Sequence, residues 1–190
     1  MRWLLLYTRS RQVPGSAAAV TLVALAWWAL GRGGAGQAGP ATVILVLTAN
    51  VVAASVGLGG QDVVLERTAA IRWLPRRVAH VLLIGASAGA ALLVVGAAGG
   101  ASAPAEVVVR DSVGLAGLAA LGAALCGASF AWTLPAGWLA FTLLVPPAGG
   151  TAGQVLHWMA VLPGTAASTG TAWALFATGA AAYAAAGPRR

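Results

Sequence analysis

Few side chains in this chain of 190 residues can do chemistry. The acids are Asp62, Glu66, Glu106 and Asp111, the imidazoles are His80 and His157, and the one thiol is Cys126. All eleven basic residues are Arg. Without Lys there is no ammonium group for the phosphates of a P-loop and no amine for a Schiff base. Two His and one Cys this far apart have no metal-ligand spacing, so no metal is expected. A single Cys closes no internal disulfide. Two motif matches fail on their context. Gly31, Gly33 and Gly36 fit G-x-G-x-x-G, but no βαβ unit surrounds them. Gly85, Ser87 and Gly89 fit G-x-S-x-G, yet they lie in a continuous apolar run rather than at a strand-to-helix turn. The residue inventory therefore predicts neither a catalytic site nor a cofactor.

The elements that carry these residues are hydrophobic almost throughout. Hydrophobic residues make up 59% and charged residues 8% of the chain, with a mean hydropathy of +0.86. A water-soluble domain carries about a quarter charged residues. The composition predicts an all-α integral membrane protein, a single transmembrane domain over residues 1–190. Six apolar segments are expected, at 14–30, 40–58, 78–99, 112–132, 134–145 and 165–186. The fifth is short for a span of about 20 residues. Either it begins earlier, or residues 146–163 form an outer loop or re-entrant half-helices. Residues 1–13 read as an interfacial segment. The first apolar run has Arg ahead of it and Gly36–Gln37–Ala38 after it, like a cleavable signal peptide, but the expectation is that it stays as the first span.

Orientation follows from Arg. With the N-terminus in the cytoplasm, nine Arg fall inside and only Arg32 and Arg110 outside, as the positive-inside rule requires. Both termini are then cytoplasmic, in a bacterial plasma membrane. The net charge of +7 is dispersed between spans. It points to topology and anionic lipid rather than nucleic acid.

Inside hydrocarbon, small residues let helices approach. Gly85 and Gly89, the row Ala49, Ala53 and Gly57, and the row Gly170, Ala174, Thr178 and Ala182 are candidate packing stripes. Asn50, in mid-span, is expected to bond across a helix interface or to line a pathway. Gln154 and His157 are the polar candidates of the outer segment. None of the four acids is centred in a predicted span, so the intramembrane carboxylate of an ion-coupled transporter is not expected.

The longest charged stretch, residues 59–77, lies on the cytoplasmic side between the second and third segments. Gly59 and Gly60 end the preceding helix, and Pro75 bounds a short helix over about 62–74. Asp62 and Glu66, four apart, share a face and repel mildly unless basic groups meet them. One reading is an interfacial loop whose Arg set topology; the other is a helix that docks on a cytoplasmic partner.

This arrangement resembles the membrane subunit of a type-2 ABC exporter, and Gln61-Asp-x-x-Leu-Glu-Arg-Thr is similar to a stretch of small actinobacterial permease-like proteins. The likeness is architectural and covers the whole chain. It comprises a basic N-terminal segment, six spans, a coupling helix between the second and third, and re-entrant outer helices before the last. Arg2 and Arg9 share a helical face while Arg11 departs from it, so the N-terminal segment is imperfectly amphipathic. The resemblance implies an ABC-type ATPase partner, a second membrane subunit (a homodimer or a paralogue), and coupling through Asp62 and Glu66 with Arg67 and Arg72. It also implies that ATP hydrolysis belongs to the partner. A non-catalytic scaffold is the competing expectation. A rhomboid-like protease is a third: Gly127-Ala-Ser129 resembles that family's G-x-S-G, but Phe130 replaces the second Gly and the last segment has no His.

Overall fold

The computed structural model describes residues 13–31, 39–58, 73–161 and 164–187. Among them the fold is helical, with no β-strand. We label the helices α1 (Val13–Gly31), α2 (Pro40–Ser55, extended by a 3-10 turn Val56–Leu58), α3 (Trp73–Ala97), α4 (Ala105–Cys126), α5 (Thr133–Leu144), α6 (Gly150–Leu156) and α7 (Ala166–Ala186). A second 3-10 turn, Ala128–Phe130, joins α4 to α5. Among the described residues three helical stretches, Pro40–Leu58, Leu74–Ala97 and Ala105–Cys126, are long and apolar enough to cross a membrane. The shorter apolar helices are Pro14–Ala29 and Ala128–Leu144. Helix α7, 21 residues rich in Ala, Gly and Thr, is not one of the three.

Helix α4 is the centre of the molecule. It is buried almost all round, from Val107 to Ala124, as expected of a helix with no polar face. Its closest neighbour is α7. A Cβ on Gly117 would lie 2.5 Å from the α7 backbone at Leu175 and Phe176, and one on Gly179 would run into the carbonyl of Gly117. The two backbones touch because neither residue has a side chain, the small-residue device of membrane helix pairs. On the opposite flank Gly85 and Gly89 of α3 meet Ser112, Ala116 and Val108 of α4, so this stripe packs within the chain.

Three boundaries and one stripe differ from the sequence expectation. Helix α3 begins at Trp73, not Val78, and carries Pro75 in its first turn, where the missing N–H has no helical partner to lose. Helix α4 runs from Ala105 to Cys126 rather than over residues 112–132. It ends at Gly127, whose φ of +103° a side chain rarely permits. The row Gly170, Ala174 and Thr178 is exposed. The packed face of α7 is instead Ser168, Ala172, Gly179, Ala180, Tyr183 and Ala184.

One end of the bundle is tied by α7. The hydroxyl of Tyr183 donates to the carbonyl of Leu58 at 2.7 Å, and Arg77 Nη1 donates to the carbonyl of Ala184 at 3.1 Å. Both acceptors are carbonyls at the C-terminal end of a helical stretch, where such groups commonly lack intrahelical partners. Gly187 closes α7 at φ +70°, and a Cβ there would meet the Arg77 guanidinium at 2.8 Å.

Candidate functional site

A buried charge cluster sits in the second turn of α4. Arg110 is 4% exposed and Asp111 is 0% exposed. Arg110 Nε donates to Asp111 Oδ1 at 2.8 Å, with both side chains out of solvent. Nη1 reaches the carbonyl of Val161 at 2.9 Å and Ser168 Oγ at 3.3 Å, and Nη2 reaches the carbonyl of Met159 at 3.3 Å. The guanidinium thus places its planar fork on an acid, a hydroxyl and two carbonyls at once, a geometry that Lys cannot match. Adjacent residues on one helix supply both charges, so the pair forms without ordering a second long side chain.

The two carbonyls belong to the return from α6 to α7, where backbone groups have no helical partner. Arg110 therefore provides what an irregular segment needs when it is enclosed by protein rather than water. Ser168 also closes a capping box at the start of α7. Its Oγ accepts from Thr165 N at 2.9 Å, and Ser168 N donates to Thr165 Oγ1 at 3.2 Å. A cation beside a helix N-terminus is unfavourable on its own, and the neighbouring Asp111 carboxylate offsets it. Asp111 Oδ2 is buried with no hydrogen-bond partner among the described residues.

The rest of residues 145–161 folds onto the same surface. The ring of Trp158, fully buried, lies against Gly114, where any Cβ would collide with it. Trp138 Nε1 on α5 donates to the carbonyl of Leu156 at 3.0 Å. His157 stacks on Phe141 with ring centroids 5.2 Å apart. Residues 145–161 are thus held by α4, α5 and α7 together.

The residues singled out from sequence fall in three places. Asp62, Glu66, Arg67 and Arg72 lie outside the described residues. Gln154, half-buried on α6, and His157, buried after it, lie close together in the chain between α5 and α7. Asn50 is on α2, fully buried, and its Nδ2 donates to the carbonyl of Val46 at 2.9 Å. That bond lies within its own helix, not across an interface as expected, because the carbonyl one turn back is the nearest acceptor. Asn50 Oδ1 has no partner among the described residues. Ser129 is exposed on the turn before α5, whereas His157 stacks near the far end of that helix, so the two do not form a nucleophile and base.

Sequence reasoning missed the cluster itself. It named Arg110 only as a basic residue outside the cytoplasmic set and Asp111 only as an acid not centred in a span, whereas both are buried side by side in the second turn of α4. The available signal was an Arg–Asp dipeptide, neutral as a pair, with Val107–Val109 before it and Gly114–Leu118 after it. A second feature is an apolar groove of about 420 Å³ between α1 and α3, lined by Val20, Leu25, Trp28, Ala91 and Val94 among others. Its two hydroxyls, Thr21 and Ser87, donate to their own helices, so it presents hydrocarbon. No model of a known family, no curated protein and no solved structure matches the chain.

Proposed function

We propose that this chain is the membrane subunit of an ATP-driven exporter of the type-2 ABC class. In this reading it crosses a bacterial plasma membrane six times with both termini in the cytoplasm. It forms part of a translocation pathway with a second membrane subunit, and a separate ATPase drives it. The observation that carries the reading is the outer segment. Between the fifth and the last apolar helix the chain makes a short helix, α6, and a return that turns back into the protein and is pinned there by Arg110. A short helix and return at this point of the chain are compatible with the re-entrant outer helices that the resemblance implies there.

Two further observations support it. Tyr183 and Arg77 bring the end of α2, the start of α3 and the end of α7 to one side, the arrangement of helices that alternate in direction. With its preceding turn, the fifth segment reaches 17 residues over Ala128–Leu144, the lower limit of about 17 for a spanning helix. The absence of Lys leaves ATP chemistry to the partner. In this reading Asp62 and Glu66, with Arg67 and Arg72, form the contact with the ATPase, and the Arg-rich side meets anionic lipid.

A scaffold without transport activity is favoured by one feature: the interior around α4 is closed by apolar packing. A half-pathway completed by a second subunit accommodates that closure. The test is purification of the tagged chain from its native host in mild detergent, with mass spectrometry of what accompanies it. A stoichiometric P-loop ATPase whose vanadate-sensitive turnover is lost on Asp62→Lys with Glu66→Lys, while the chain still inserts, supports the exporter. Recovery without any ATPase transfers the reading to the scaffold.

A further inference from the structure

The ties at the inner end have a consequence for how the two flanks of the cytoplasmic segment move. Leu58 is the last described residue before it, and Trp73 opens α3 after it. Both flanks are bonded to the same turn of α7: Leu58 through the Tyr183 hydroxyl, and the first turns of α3 through Arg77 on the Ala184 carbonyl. The Tyr183 ring is 1% exposed, so its bond is made away from water, where it is hard to replace. Arg77 is a cation on the C-terminal carbonyls of α7, the end of a helix that attracts positive charge. Gly187, which leaves room for the guanidinium, completes the seat.

We infer that the last turn of α7, through Tyr183 and Ala184, is the anchor that makes the end of α2 and the start of α3 move as one unit with α7. Displacement of either flank is then shared with α7, in addition to the direct packing of α3 on α4 at Gly85 and Gly89. From there it passes to α4 through the backbone contact of Gly117 with Gly179, and so to the helix that carries Arg110. This deepens the exporter reading, since it names the helix on which an ATPase pushing at the segment would act.

The test uses the full chain in lipid nanodiscs, with Cys126→Ser to remove the native thiol. Spin labels are placed at Val56 and Leu74, two exposed positions on either flank, and their separation is read by pulsed electron resonance. The unmodified anchor gives a single narrow distance distribution. Tyr183→Phe, which removes only an oxygen, broadens it, and Tyr183→Phe with Arg77→Met broadens and lengthens it further. Thr178→Val, on the exposed face of α7, leaves it unchanged. Distributions for both anchor variants that superimpose on the unmodified chain overturn the inference. Failure of the exporter reading is separate, because it appears as the absence of an ATPase in the purified complex whatever the distances do. If the ATPase is present, Tyr183→Phe retains it but loses vanadate-sensitive turnover.

Discussion

Helices α3 and α4 are of similar length, 25 and 22 residues, and they reverse the rule that holds in water. In α3 the apolar stretch has only 39% of its residues inside the molecule, against 83% in α4. Yet α3 presents Leu82, Leu83 and Val94 outward, whereas α4 carries Arg110 and Asp111 inward. Where the solvent is hydrocarbon, exposed Leu costs nothing and a charge is tolerated only with partners inside the bundle. The difference teaches that charge, not hydrophobicity, marks the centre of this fold. The helix with the buried Arg–Asp pair is the one the others surround.

That contrast can be broken at several points. The largest effect is expected from Arg110→Met. It strands the Asp111 carboxylate and two enclosed carbonyls, and breaking a buried pair in this way costs about 3–5 kcal/mol. Thermal or denaturant unfolding in nanodiscs should show the loss, and protease should then cut within residues 145–161. Gly117→Val comes next. Its side chain has no room against the backbone of α7, and overpacking of this kind costs about 1–3 kcal/mol, read in the same unfolding assay. The smallest effect sharpens the other half of the comparison. Leu83→Ala, on the outward face of α3, should change stability by no more than about 0.5 kcal/mol. A large loss there would mean that this face packs against protein.

Much of the architecture was legible in the sequence because apolar runs bounded by Gly and Pro map directly onto helices. The segments expected at 14–30, 40–58, 134–145 and 165–186 each lie within about two residues of a helix, the usual latitude for helix ends. The fourth was misplaced for a physical reason. A charged residue ordinarily ends a membrane span, but Arg110 and Asp111 neutralise one another and are carried inward with the helix. The start of α3 was missed because Pro75 was read as a stop, though in a first turn it is permitted. The packing face of α7 could not be chosen from spacing. In a helix this rich in Ala several faces are equally small, and only the position of Gly117 on α4 selects Gly179. The site was legible in part. Gln154 and His157 pointed to the segment between α5 and α7, but Arg110, which holds it, is 51 positions away from Val161 in sequence. Such a contact leaves no local pattern.

The Arg110–Asp111 pair holds residues 159–161 from inside the bundle. A double-mutant cycle of Arg110→Met and Asp111→Leu, with unfolding free energy measured in nanodiscs, tests it most directly. Removing Arg110 alone should be the most damaging change, since it leaves a charge buried and unpaired. The double variant should recover part of the loss, with a coupling energy of about 0.5–3 kcal/mol between contacting residues. Additivity to within about 0.3–0.5 kcal/mol, with Arg110→Met as harmless as Leu83→Ala, would contradict a structural role for the pair.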